Sequence, residues 1–181
     1  MPSVDTLHDL VTADVRAATA AYLKSRDTRA FQSTMERALT KAHTAAYVRG
    51  LAEKSAGGKV REWLSKLVGS RALPKEAREA IKAKVKDQLD YLRGFVQAAP
   101  DMSDAAVAQR AALYTGAVRA SYYGGRFPGL PAYPGDGSTP CKGNCKCRIE
   151  ERDGGIWWTL GASEHCSGCV AMAAGSPYEN R

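Results

Sequence analysis

No cysteine occurs in the first 140 residues of this 181-residue chain, so thiol chemistry is confined to its last quarter. Histidine is equally scarce: His8, His43 and His165 are scattered, and no Asp or Glu stands in a motif that would pair with them. A hydrolase or nuclease built on an acid/base pair therefore lacks its parts, and the chain is expected not to be an enzyme. A phosphate-cradling loop is also missing, because Gly57-Gly58 has neither a strand before it nor Gly-Lys-Ser/Thr after it. Although 44% of residues are apolar, no uncharged run approaches the roughly 18 residues that a spanning helix needs, which argues against a membrane protein. Asp5, Asp9 and Asp14 interrupt the apolar positions of the first turns, so no signal peptide is expected. The expected place of synthesis is a reducing cytoplasm, where clustered thiols bind metal more readily than they oxidise.

What is present in quantity is helical periodicity. Val4, Leu7, Val11, Val15, Ala18 and Tyr22 form one apolar stripe. Phe31, Met35, Ala38, Ala42 and Ala45 form a second behind a cap at Thr28, in a helix ended by Gly57-Gly58. Trp63, Leu64 and Leu67 make a small patch before Gly69. Pro74 suits the first turn of a helix with Ile81, Val85, Leu89, Leu92 and Val96 inside and Lys75, Lys82, Lys84 and Lys86 mostly outside. Pro100 ends it, and Ser103-Asp104 caps a further helix carrying Val107, Ala111, Tyr114, Val118 and Tyr122. The net charge of +7 lies wholly in residues 1–122, since basic and acidic side chains balance from Tyr123 onward. A basic helical body fits acidic partners or packaged nucleic acid, and equally an ordinary solvated surface.

At Tyr122-Tyr123-Gly124-Gly125 the composition changes. Residues 124–140 hold four prolines and five glycines, which predicts an extended linker running over a surface. Beyond it stand Cys141, Cys145 and Cys147, then eighteen residues, then Cys166-Ser-Gly-Cys169. Asp153-Gly154, between two short segments, predicts a β-hairpin that brings the two groups of thiols together. Close-set cysteine pairs at this separation match a ribbon-type zinc site, because Zn²⁺ takes four thiolates at tetrahedral corners. Five thiols compete for four places: Cys145, Cys147, Cys166 and Cys169 are favoured, with Cys141 as first substitute and His165 as a solvated neighbour. The competing reading is two disulfides and one free thiol; the odd count and the cramped Cys145-x-Cys147 spacing weigh against it. The chain is thus expected to be mainly α: a helical bundle or hairpins over 1–123, an extended linker over 124–140, and a zinc-stapled hairpin knob over 141–181.

One resemblance is carried by these residues. Tyr133-Pro-Gly-Asp-Gly-Ser-Thr-Pro-Cys-Lys-Gly-Asn-Cys-Lys-Cys147 resembles the Asn-Cys-Arg-Cys box of tailed-phage minor head proteins, the head-morphogenesis proteins similar to the F protein of phage Mu. Trp158-Thr-Leu-Gly161, Glu164-His-Cys-Ser-Gly-Cys169, Ser176-Pro-Tyr178, Tyr91-Leu-Arg-Gly-Phe95 and Arg110 to Arg119 are similar to further parts of that family. Lys146 stands where the box usually has Arg, and the chain stops at Arg181, before any ADP-ribosyltransferase-like extension of the kind some relatives bear. The resemblance implies a virion component in the phage head, made in the host cytoplasm, associated with portal or major capsid proteins and near packaged DNA. The alternative is a zinc-ribbon nucleic-acid-binding accessory protein acting through the lysine-rich helix.

Overall fold

A computed structural model of the chain describes residues 3–54 and 75–179, apart from the side chains of Ala77, Ala80 and Lys84. Gly57-Gly58, the Trp63, Leu64 and Leu67 patch, Gly69 and Pro74 lie outside the described residues. The described chain is mainly helical, with one small two-stranded antiparallel sheet near its C-terminal end. No described helix is long and apolar enough to cross a membrane.

Helix α1 spans Val4–Ser25, opened by Ser3, whose Oγ accepts the Thr6 N–H at 3.1 Å. It closes at Arg26 in the left-handed region (φ 56°), whose N–H donates to the Tyr22 carbonyl. Helix α2, Thr28–Lys54, is capped one residue earlier than its sequence suggests: Asp27 Oδ1 accepts the Ala30 N–H at 2.9 Å, which leaves Thr28 inside the first turn. Helix α3 covers Lys75–Ala98 and gives way to a 3₁₀ turn, Ala99–Asp101, where Pro100 cannot extend the ladder. Ser103 caps α4, Asp104–Ala112, through the Ala106 N–H.

Helix α2 is the centre of the body, with α1, α3 and a helix over Val118–Arg126 (α5) packed around it. The predicted stripes of α1 and α4 face inward, and α2 adds Leu39 and Ala46, both fully buried. Four rings run through this core in series. Tyr22 stacks on Phe31 (4.7 Å), Phe31 meets Phe95 edge-on (5.8 Å), and Phe95 lies over Tyr114 (5.9 Å). Each contact joins a different pair of elements, so the rings tie the bundle together across its whole width.

The last long helix differs from expectation in two ways. It is broken: after α4 come a 3₁₀ turn, Leu113–Thr115, and then α5, Val118–Arg126. The break sits where the Gly143 carbonyl presses on Gly116, so closely that a Cβ there would stand 2.1 Å from that oxygen. Secondly, α5 continues through Gly124 and Gly125 to Arg126, three residues past the compositional change. Gly125 is tolerated in the helix because of what it faces. A Cβ on Gly125 would lie 2.2 Å from the Tyr47 carbonyl, and one on Gly50 would lie 2.1 Å from the Tyr122 carbonyl. Helices α2 and α5 therefore cross backbone to backbone, a closeness only glycine permits.

Residues 127–140 form no helix or strand, as their composition requires, yet they do not run free over a surface. Phe127, Ala132, Tyr133 and Thr139 are buried within this same chain. The Tyr133 hydroxyl donates to the Phe127 carbonyl (2.9 Å), and Asp136 accepts the Tyr133 N–H (2.8 Å). Gly135 and Gly137 supply the positive φ angles that these turns need.

Strands β1, Arg148–Arg152, and β2, Gly155–Thr159, pair antiparallel with Ile149 opposite Trp158 and Arg152 opposite Gly155. The turn is Asp153-Gly154 with φ of 53° and 75°, the two positive values of a type I′ hairpin. Ile149, Ile156 and Trp158 share one face and pack with Phe127, Ala132, Cys147 and Cys169. The tail returns to the sheet, where Tyr178 and Ile156 exchange both backbone hydrogen bonds (2.8 and 3.0 Å).

Candidate metal centre

Two local structures aim thiols at one point. The first is a 3₁₀ turn, Lys142–Asn144, enclosed by Cys141 and Cys145. The Asn144 and Cys145 N–H groups return to the carbonyls of Cys141 and Lys142, and Lys142 takes a positive φ of 47° to close the bend. The two cysteines that flank this three-residue turn thereby bring both their sulfurs to Cys169. The second is the start of helix α6, Ser167–Ala174. Cys166 is its N-cap, and the Sγ accepts the Cys169 N–H at 3.5 Å, so Cys166-x-x-Cys169 sets two sulfurs on one helix end. The hairpin between these structures brings them together.

The Sγ atoms of Cys141, Cys145 and Cys169 all lie within 4.8 Å of one another, close enough to hold a metal ion. Cys169 Sγ is 3.5 Å from both Cys141 and Cys145, and Cys166 Sγ is 3.6 Å from Cys141. All five cysteines are free thiols. For sulfurs about 2.3 Å from a central ion, tetrahedral geometry gives an edge of about 3.8 Å. The observed separations are near that edge, so little movement is needed to seat an ion.

The surroundings set these thiols apart. Burial pushes Cys145 up to about 12 and holds Cys169 far above the usual thiol range. Cys166 falls to about 6, chiefly because the Cys169 N–H donates to its sulfur. Metal binding at thiols held protonated in this way is coupled to proton release.

The sequence ranked Cys147 among the four ligands and Cys141 as a reserve; the distances arrange them differently. Cys141 stands inside the cluster, contacting Cys169 and Cys166. Cys147 is 3% exposed within the apolar face of the hairpin, and its Sγ lies 3.8 Å from Nδ1 of His165. His165 is half-buried rather than solvated, with Nε2 donating to the Gly161 carbonyl at 2.9 Å. Of the other histidines, half-buried His8 has Nδ1 3.8 Å from Asp9. His43 is 1% exposed, with Nδ1 2.7 Å from Ser121 Oγ. Its position between Ala42 and Ala46 of α2, on the side facing α5, buries it, a placement that its own helical period leaves ambiguous.

Sequence reasoning missed how the centre is anchored. Glu53 of α2 accepts from Arg49 (2.5 Å), Tyr122 (2.5 Å) and Arg126 (2.7 Å), and Arg126 reaches on to Glu151 of β1 at 3.6 Å. Burial opposes the Glu53 charge, but the Tyr122 and Arg49 hydrogen bonds and the two guanidinium charges hold it below the usual carboxylate range. Tyr122, buried and donating to a carboxylate, is pushed up to about 12. An exposed-looking Glu, Tyr and Arg carry no sequence signal of such a network, because the partners lie about seventy residues apart. Comparison with family models, curated proteins and solved structures finds no match for this chain.

Proposed function

We propose that this chain is a minor head protein of a tailed phage, a non-enzymatic virion component that docks on portal or major capsid subunits through a zinc-stapled knob. The observation that carries the reading is the box Cys141 to Cys147. The stretch that resembles the family's signature supplies two of the three thiols that gather in the cluster. A helical body joined rigidly to such a knob suits docking, not turnover. Zn²⁺ is the ion of choice because an all-thiolate tetrahedral set needs a borderline-soft cation without redox chemistry. In this reading Cys141, Cys145, Cys166 and Cys169 hold it, which fixes the Lys142–Asn144 turn and the start of α6 against each other.

The nucleic-acid alternative draws no support from helix α3. Lys86 pairs with Asp90 at 2.6 Å and Lys75 with Glu79 at 4.0 Å, so part of the lysine run is already neutralised on its own helix. The test is virion composition. Purified particles of the phage encoding this chain are expected to contain it in few copies at the portal vertex, and a Cys141→Ser/Cys145→Ser double variant to be lost from particles. Charge reversal at Lys82 and Lys86 leaves incorporation intact. Absence of the wild-type chain from purified particles, or loss of incorporation only on charge reversal, overturns the proposal.

A further inference from the structure

The thiols that gather around the centre also lie close enough to react with one another. Cys169 Sγ stands 3.5 Å from Cys141 and from Cys145, and Cys166 Sγ stands 3.6 Å from Cys141. A disulfide needs about 2.05 Å, so each sulfur of such a pair has to move by only about 0.8 Å. These three contacts divide in one way that uses every thiol once: Cys141 with Cys166, and Cys145 with Cys169. Both bonds would run from the Lys142–Asn144 turn to the start of α6, the two structures that an ion here joins. Cys147 belongs to none of the three contacts and is buried in the hairpin core.

We propose that the centre is an exchangeable staple: hydrogen peroxide converts the four-thiolate site into the disulfides Cys141–Cys166 and Cys145–Cys169 and releases the ion. In each pair one thiolate attacks a peroxide oxygen and breaks the O–O bond, becoming a sulfenic acid as one hydroxide leaves. Its partner thiolate then attacks that sulfur and expels the second hydroxide. Two peroxide molecules thus accept the four electrons that four thiolates give up, yielding two disulfides, four hydroxides and one free divalent ion. Access sets the order. Cys141 and Cys166 are both half-buried, whereas Cys169 is buried, so Cys141–Cys166 forms first. That bond removes two of the four ligands, and the ion leaves with it. A particle component passes from a reducing cytoplasm into an oxidising medium, and the exchange keeps the knob cross-linked on both sides of that passage.

The inference rests on the metal-centre reading above, and the experiment separates the two. Reduced full-length chain is loaded with Zn²⁺ anaerobically, freed of excess metal and treated with hydrogen peroxide. A chromogenic chelator follows zinc release, and non-reducing peptide mapping after alkylation in denaturant follows the thiols. The expected course is release of about one equivalent of zinc in step with the Cys141–Cys166 disulfide, with Cys145–Cys169 following. Cys147 is expected to remain alkylatable throughout, and Cys147→Ala to release zinc at the wild-type rate with the same pairing. Thiol reductant and fresh Zn²⁺ are expected to restore the loaded form. Zinc retained under peroxide, a first disulfide that joins Cys166 to Cys169 or includes Cys147, or oxidation to sulfinic acids without disulfides overturns the exchange and leaves the metal site standing. An untreated chain that holds no zinc overturns both.

Discussion

Replacing Gly125 by alanine is expected to destabilise the protein strongly, although alanine is the better helix former. The intrinsic helical gain of Gly→Ala is about 1 kcal/mol. Against it stands geometry: the added methyl would lie 2.2 Å from the Tyr47 carbonyl oxygen and 3.0 Å from the Leu51 nitrogen, both backbone atoms of α2. Ordinary contact to a carbon needs about 3.5 Å, so α2 and α5 must part by more than an ångström along their closest line. Forcing such expansion on a packed interior costs about 1–3 kcal/mol or more, and here it also pulls on the Tyr122–Glu53–Arg126 hydrogen bonds at the same crossing. The expected net loss is about 2 kcal/mol, which lowers Tm by about 4–8 °C in a chain of this size. Gly94 provides the internal control. It lies in α3 with nothing within 4 Å of its added methyl, so Gly94→Ala keeps the helical gain and is expected to stabilise by about 0.5–1 kcal/mol. Urea and thermal unfolding followed by circular dichroism measure both. If the two variants shift stability in the same direction, the backbone-to-backbone crossing is not the constraint described here.

Three further outcomes are expected. Cys141→Ser should weaken metal retention at least as much as Cys147→Ser in a chelator competition assay; the reverse order would return Cys141 to the role of reserve. Glu53 titrates below its usual 4.5, so its contribution to stability is present above about that pH and is lost as pH falls through the lower folded value. Glu53→Gln should therefore flatten the acid limb of a stability-against-pH curve, and a curve parallel to wild type between pH 5 and 3 refutes this. Gly154→Ala, at φ 75°, should cost the hairpin about 1 kcal/mol, read as a lower urea midpoint.

The helices were legible because each has a continuous apolar stripe and a nearby cap, information contained within a few turns of chain. Ser103 was found for that reason, and the Thr28 cap missed by one residue because Asp27 and Thr28 are both good caps and only the hydrogen bond to Ala30 decides. Gly124-Gly125 read as the end of a helix, since the carbonyl of Tyr47 that Gly125 accommodates lies more than seventy residues away. The hairpin turn was legible from Asp153-Gly154 alone. Within the candidate centre, spacing showed that the cysteines would meet but not which would lie nearest. Cys145 contacts Cys169 while Cys147 lies in the hairpin core; a regular strand would set residues two apart on one face, so the spacing gives no sign that the irregular stretch before β1 parts them.

The apolar face of the hairpin is completed by residues that precede the first cysteine. Phe127 and Ala132 are buried against Ile149, Ile156 and Trp158, with Tyr123 and Leu130 alongside. The cysteine-rich end is therefore not a detachable cassette. A fragment cut at Cys141 would keep every thiol but lose one wall of its own interior, and a graft of the ribbon onto another protein would have to carry α5 with it. Insertions that lengthen 127–140 act in the same sense: they lengthen no tether, and instead prise apart the surface on which the ribbon is seated.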